Sequence, residues 1–198
     1  MATANNYFEP GRMVSQFLPT AVISTVYQVG GVDSPVLDGT LAVLGGFYTD
    51  PVYSAAYTAG SGSAVTILDF NTRIAVLPTL AIDAGVGVIN VVDVPTATGA
   101  DNNSYRIGTQ IFGLTGKAST PYSFRVFALN DTCKVNSDNT TATLTVGQYA
   151  IVSPTAGKFA PSATIPATGL VAKVISSTKV SKGNEASVTQ YFLLIVQI

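Results

Sequence analysis

The sequence has no histidine, no tryptophan and one cysteine, and only 11% of its residues are charged. Each scarcity closes off some chemistry. Without His there is no Ser-His or Cys-His nucleophile pair, no imidazole general base and no imidazole for a transition metal. A lone Cys133 makes no intrachain disulfide and cannot build a zinc site. Long apolar runs are also missing. The longest candidate, residues 74–94, is broken by Pro78, Asp83 and Asp93, which excludes a membrane helix there. The opening "MATANNYFEPGR" has neither a basic n-region nor an apolar h-region, so no signal peptide is expected and the chain is expected to be made in a cytoplasm. In that setting the N-x-S/T sequons at Asn102, Asn130 and Asn139 are chance matches in a Thr-rich chain.

Charge at 11% is well below the roughly 25% of an ordinary soluble protein, while hydrophobic residues make up 47%. A surface built from so little charge resists association poorly. Much of it is therefore expected to be covered, by copies of the same chain or by a partner. The net charge is −1, so no overall field draws in nucleic acid. The distribution is uneven. Residues 1–116 hold Arg12, Arg73 and Arg106 against eight acids, a net of −5, and residues 117–198 hold seven basic residues against Asp131, Asp138 and Glu185, a net of +4. A nucleic-acid face needs clustered Lys and Arg with exposed aromatics. The basic residues here are scattered, so no nucleic-acid partner is expected.

What is present is β-branched and punctuated. Short apolar runs alternate with Gly or Pro about every ten residues, the pattern of an all-β sandwich or small barrel with little helix. Candidate strands are 21–29, 40–48, 64–69, 73–77, 86–92, 105–113, 122–129, 141–152, 169–176 and 187–198. The best helical candidate, 12–18, is one or two turns. Residues 1–19, polar and broken by Pro10-Gly11 and Pro19, read as an extended N-terminal arm. Residues 20–198 then form the β domain, with a division into two modules at about 20–115 and 116–198 as the alternative. The last strand, "SVTQYFLLIVQI", is apolar on both faces. Tyr191, Leu193 and Ile195 point one way, and Phe192, Leu194, Val196 and Ile198 the other, so it is expected to lie between a core and a second covering surface. "STKVSKGNEA" before it reads as a polar loop turning at Gly183-Asn184. The stretches "DGTLAVLGGFYTDPVYSA" and "VGQYAIVSPTAGKFAPSA" echo one another at Gly39 and Gly147, Ala42 and Ala150, and Phe47 and Phe159. So few identities fit coincidence better than a repeat.

Motifs that evoke chemistry fail on their details. "GLTGKAS" has Ile111 where a phosphate loop needs its first Gly, and Ala118 where it needs Ser or Thr. "GSGSAV" and "GVGVIN" lack the third Gly of a dinucleotide fingerprint. Ser176-Ser177-Thr178-Lys179 has the spacing of a Ser-Lys pair, but it is read as ending a strand rather than sitting on a helix turn. Asp131, Asn136 and Asp138 in "NDTCKVNSDNTT" lack calcium-loop spacing and read as a mobile polar loop. Asp33, Asp38 and Asp50 precede Ser, Gly and Pro, so turn roles account for them. Among the aromatics only Tyr48, Tyr53 and Tyr57 are dense enough to suggest a sugar-binding face. No catalytic, cofactor or metal residue is assigned, and the chain is expected not to be an enzyme.

"VGQYAIVSPTAGKFAPSATIPATGLVAKVISS" with the closing "YFLLIVQI" resembles the β modules of tailed-bacteriophage head decoration, or capsid cement, proteins. The shared features are a strand, a Gly turn, an Ala- and Pro-bearing strand, the "TGLVAKV" strand and a final apolar strand. The resemblance covers about the last 55 residues. It implies a β-tulip-like module, a place on the outer capsid surface of a virion, the major capsid protein as partner, and a homotrimer. It carries no catalytic residues. The alternatives are another phage assembly component (tail, neck, head fibre or coat) or a host-surface or carbohydrate-binding module.

Overall fold

The computed structural model describes residues 6–14, 18, 21–83, 85–91, 115–154, 156–182 and 185–198. The expected strand 105–113, the Asn102 sequon and the Gly183-Asn184 turn lie outside them, as does much of the 12–18 helical candidate. In chain order the elements are β1 (Phe8–Pro10), β2 (Val22–Val29), β3 (Val32–Asp33), β4 (Val36–Leu37), β5 (Thr40–Thr49), α1 (Pro51–Ser61), β6 (Leu68–Val76), β7 (Val86–Asn90), β8 (Thr115–Gly116), β9 (Tyr122–Val126), β10 (Thr132–Asn136), β11 (Tyr149–Ser153), β12 (Lys158–Ser162), β13 (Val171–Lys182) and β14 (Glu185–Gln197). The described chain is thus mostly strand, in two six-stranded sheets and one two-stranded pairing, β4-β8, with little helix, as the composition leads one to expect.

Sheet I runs β3-β2-β6-β5-β7-β9, and β9 also pairs with β2, so its ladder returns on itself. Sheet II runs β1-β10-β14-β13-β11-β12, every pair antiparallel. The sheets do not divide the chain at one point. Residues 8–10 belong to sheet II, and 122–126 to sheet I.

Strand alternation explains where the cores lie. In sheet II, Tyr191, Leu193 and Ile195 face inward with Cys133, Val135, Ala150, Val152, Phe159, Ala172 and Val174. They meet Leu41, Val86 and Val88 of sheet I, with Phe8 and Met13 from the N-terminal segment. The next residues along the same sheet I strands point the other way. Ala42 and Ile89 join Tyr27, Ala75 and Phe124 in a second core on the far face. This second core depends on a close approach. A Cβ on Gly87 would collide with the Phe124 ring and the Arg125 carbonyl, so the β7–β9 contact at that point excludes any larger residue.

The structure corrects several sequence-derived elements. The expected strands 64–69 and 73–77 are one strand, β6, and only 149–152 of the expected 141–152 is strand, as part of β11. "STKVSKGNEA" is largely strand, because β13 and β14 pair from Val171–Gln197 out to Lys182–Glu185. Its first residues, Ser177, Thr178 and Lys179, are exposed, so a long ribbon presents polar side chains and reads like a loop. "NDTCKVNSDNTT" is strand β10 followed by a 3-10 turn, Ser137–Asn139, and not a mobile loop. Finally, α1 was not expected at all.

The alternation gives a paired prediction. Leu193 is fully buried, and its neighbour Leu194 faces outward and is half-buried. Leu193→Ala is expected to cost about 2–5 kcal/mol in urea unfolding, and Leu194→Ala less than half of that.

Candidate functional site

Three features of the described residues could carry function: a buried polar hub and two apolar surfaces. The hub is Asp38. It lies between β4 and β5, and its side chain is buried. One oxygen accepts from the Phe8 backbone N–H at 2.8 Å. The other accepts from Asn90 Nδ2 at 2.9 Å and the Val91 N–H at 2.8 Å. Its backbone carbonyl accepts from Asn139 Nδ2 at 2.8 Å, and Asn139 Oδ1 in turn accepts from the Tyr7 N–H at 2.8 Å. One residue therefore joins three parts of the fold: its carboxylate ties the N-terminal segment to sheet I, and its backbone carbonyl holds the 3-10 turn after β10. Burial pushes it up to about 6, against the hydrogen bonds from Asn90, Phe8, Val91 and Gly39, which favour the anion.

A second buried acid works in parallel. Asp131 accepts from the Val14 N–H and the Ala128 N–H, each at 2.8 Å. Thr132 Oγ1 accepts from the Arg12 N–H at 2.7 Å. The described part of the N-terminal arm, 6–14, is thus laid across this chain's own sheet II. Glu9 closes the row with Lys134 at 2.9 Å. Burial acts to raise the Glu9 carboxyl, but hydrogen bonds from Lys134 and Tyr7 and the Lys134 charge outweigh it and hold it low.

The residues singled out from sequence are dispersed. Ser176 to Lys179 lie within β13 and pair with Phe192 to Thr189, correcting the reading that they leave a strand for a loop. Lys117 is exposed beside a turn, with its N–H donating to the Tyr122 hydroxyl at 2.6 Å. Asp33 accepts from Tyr48 Oη at 2.6 Å and Gln28 Nε2 at 2.8 Å, and Asp50 caps α1. Tyr48 is buried, whereas Tyr53 and Tyr57 are exposed, so the expected Tyr trio does not form one platform. Asn139 is buried with both side-chain ends bonded, so its sequon is closed in the folded chain. Cys133 is fully buried, and burial together with Asp131 pushes its thiol up to about 12, which leaves it unreactive. Among the described residues no group of three or more Cys, Asp or Glu could hold a metal ion. No described helix is long and apolar enough to cross a membrane.

The first apolar surface is the outer face of sheet II. Phe192, Leu194 and Val196 are half-buried, Ile175 and Ile198 exposed. The register places Lys134 and Ser176 beside Phe192, and Thr132 and Lys173 beside Leu194. Tyr149 continues this second row from β11. The face is therefore greasy with a few Lys.

The second is the β5–α1–β6 connection. Asp50 caps α1 by accepting from the Val52 and Tyr53 N–H groups, Pro51 opens it, and left-handed Gly62 closes it by donating to the Thr58 carbonyl. Beneath it, Ser54 Oγ accepts from the Ile67 N–H and Thr58 Oγ1 from the Val65 N–H, each at 2.9 Å. No residue of α1 is buried. Polar contacts hold its inner side, and Val52, Tyr53 and Tyr57 face out. Phe47 and Phe70 are exposed on the adjoining strands β5 and β6, in an edge-on ring contact at 5.3 Å.

No family model, no curated protein and no solved structure matches the chain. The reading of function therefore stands on the geometry above and on the resemblance of the C-terminal region.

The Asp38 hub contributes a pH dependence opposite in sign to that of Glu9. Its folded value is raised, so its stabilising contribution is complete below about pH 4 and is lost as pH rises through about 6. Wild-type stability minus that of Asp38→Asn is expected to fall across that window in urea titrations. The Asp38 carboxyl carbon should titrate near 6 by NMR. The buried N–H donors matter as much. Asp38→Ala, which orphans the Phe8 and Val91 N–H groups, should cost about 3–5 kcal/mol and speed amide exchange at Phe8.

Proposed function

We propose that this chain is a structural virion protein that binds the outer surface of a bacteriophage capsid and stabilises the shell as a decoration or cement protein. The observation that carries this reading is the outer face of β14. Tyr191, Leu193 and Ile195 fill the core, while Phe192, Leu194 and Val196 form a second apolar row turned outward. A strand apolar on both faces suits a position between a core and a partner surface. Burying that row on a capsid would yield about 25 cal/mol per Å² of apolar area removed from water. Repetition over many lattice sites would then oppose local opening of the shell. The closed ladder β2-β6-β5-β7-β9 is consistent with a small five-stranded barrel, and sheet II with the tulip-like module that the resemblance implies. The partners in this reading are the major capsid protein and further copies of the chain, as trimers.

Another phage assembly role, in tail, neck, head fibre or coat, uses the same apolar faces and differs in copy number. A carbohydrate-binding role needs an aromatic platform, and Tyr53 and Tyr57 alone supply a thin one. The test is quantitative mass spectrometry of purified particles. The protein should be present at a stoichiometry comparable with capsid subunits, and particles lacking it should lose their DNA at lower temperature. Absence from particles, or a copy number of only a few, would overturn the cement reading.

A further inference from the structure

The tip formed by α1 and the adjoining ends of β5 and β6 is the most exposed apolar region of the described chain, and it differs from the sheet II face in one respect. Residues 51–68 contain no charged side chain at all. Val52 is 73% exposed, Phe70 72%, Tyr53 62%, Tyr57 60%, and Phe47 and Leu68 41% each. Arg73, the cation on β6, is folded back. Its guanidinium donates to the Gly45 carbonyl and sits 5.1 Å over the Phe47 ring. The nearby carboxylates are also engaged locally, Asp50 with the α1 N-terminus and Asp69 with the Asn71 N–H.

An 11-residue helix with no buried residue is unusual, because helices of this length are marginal in water unless a face is packed. Here both ends are capped and the inner side is pinned by Ser54 and Thr58. The helix is held in place to present its outer side. We infer that this tip is a two-fold contact between two copies of this chain. The inference rests on the assembly role proposed above and names one interface within it.

Two observations point to a second copy as the occupant. In a two-fold contact each patch meets itself, so any net charge repels its own image. A patch without charge across 51–68, flanked by locally engaged Asp50, Asp69 and Arg73, meets that requirement, and a charged partner would find nothing to pair with. The area also fits. At ~200 Å² per aromatic side chain, the exposed fractions of Phe47, Tyr53, Tyr57 and Phe70 amount to about 450 Å². Val52 and Leu68 bring the patch to roughly 600 Å², and two such patches to about 1,200 Å², the lower bound for a specific interface. Rings dominate the patch, as they do in the energetic centres of interfaces.

The test is sedimentation velocity on the full chain, wild type against Tyr53→Asp and Tyr57→Asp, with far-UV circular dichroism as the folding control. The side chains are exposed, so both variants should fold. Each should halve the wild-type mass or raise its dissociation constant at least 100-fold. Tyr57→Cys adds an independent readout, because Cys133 is buried and the new thiol is the accessible one. A flexible bis-maleimide should then give a covalent dimer. A wild-type oligomer unchanged by either Asp variant would overturn the tip contact while leaving the assembly role intact. A wild-type monomer would overturn it too. So would a monomer that floats with phosphatidylcholine vesicles and loses this on Tyr57→Asp, since a lipid surface would then be the occupant.

Discussion

The structure depends on the start of β5 and the whole of β7 being buried on both sides. Leu41 and Ala42 are adjacent, point in opposite directions, and are both fully buried, and Val88 and Ile89 repeat the arrangement one strand over. Antiparallel strands usually keep one face wet, and polar residues then occupy every second position. Here no second position is free for charge. That constraint keeps charge out of both strands. It also fixes register tightly. A one-residue slip would exchange the contents of two cores of different shape, and Gly87 beneath the Phe124 ring would no longer coincide with the space that ring needs.

Between these cores sits one buried acid that the fold keeps. Asp38 stands where the N-terminal segment, sheet I and the turn after β10 converge, and it gathers the backbone N–H groups that no ladder satisfies. A buried carboxylate is costly, and its raised value reflects that cost. What it supplies is position. Phe8 and Met13 reach the shared core only because Asp38 and Asp131 hold the backbone around them. An apolar residue at position 38 could not accept those donors, so the fold retains a group that weakens it at neutral pH.

Among the described residues, half of the exposed large apolar side chains lie in two places, the outer face of sheet II and the α1 tip. They differ in kind. The sheet II face mixes Phe192 and Leu194 with Lys134 and Lys173, suited to a partner whose surface differs from its own. The tip is uncharged and aromatic, suited to meeting its own image. A molecule with one contact of each type can bind a lattice and link to a neighbour, which suits a shell-stabilising role.

Reading the chain alone located most sheet I strands, because 22–29, 40–49 and 86–90 are β-branched runs bounded by Gly or Pro, and it identified both faces of the last strand as apolar. It also excluded imidazole chemistry and Cys/His zinc sites built from one chain, since no folding supplies a missing residue. Helix α1 escaped because its only signals are Asp50-Pro51 and the closing Gly62. Periodicity reports a buried face, and this helix has none. Strand β10 escaped because two inward residues, Cys133 and Val135, lie among Asn and Asp whose burial is decided by partners over a hundred residues away. Asp38 looked like any Asp before Gly. Local patterning thus determined which segments can be strands and which chemistries are impossible. Which polar groups go inside, which apolar ones stay out, and how the two sheets share one core were decided by long-range contacts, because burial is a property of the assembled surface and is not encoded in any short window.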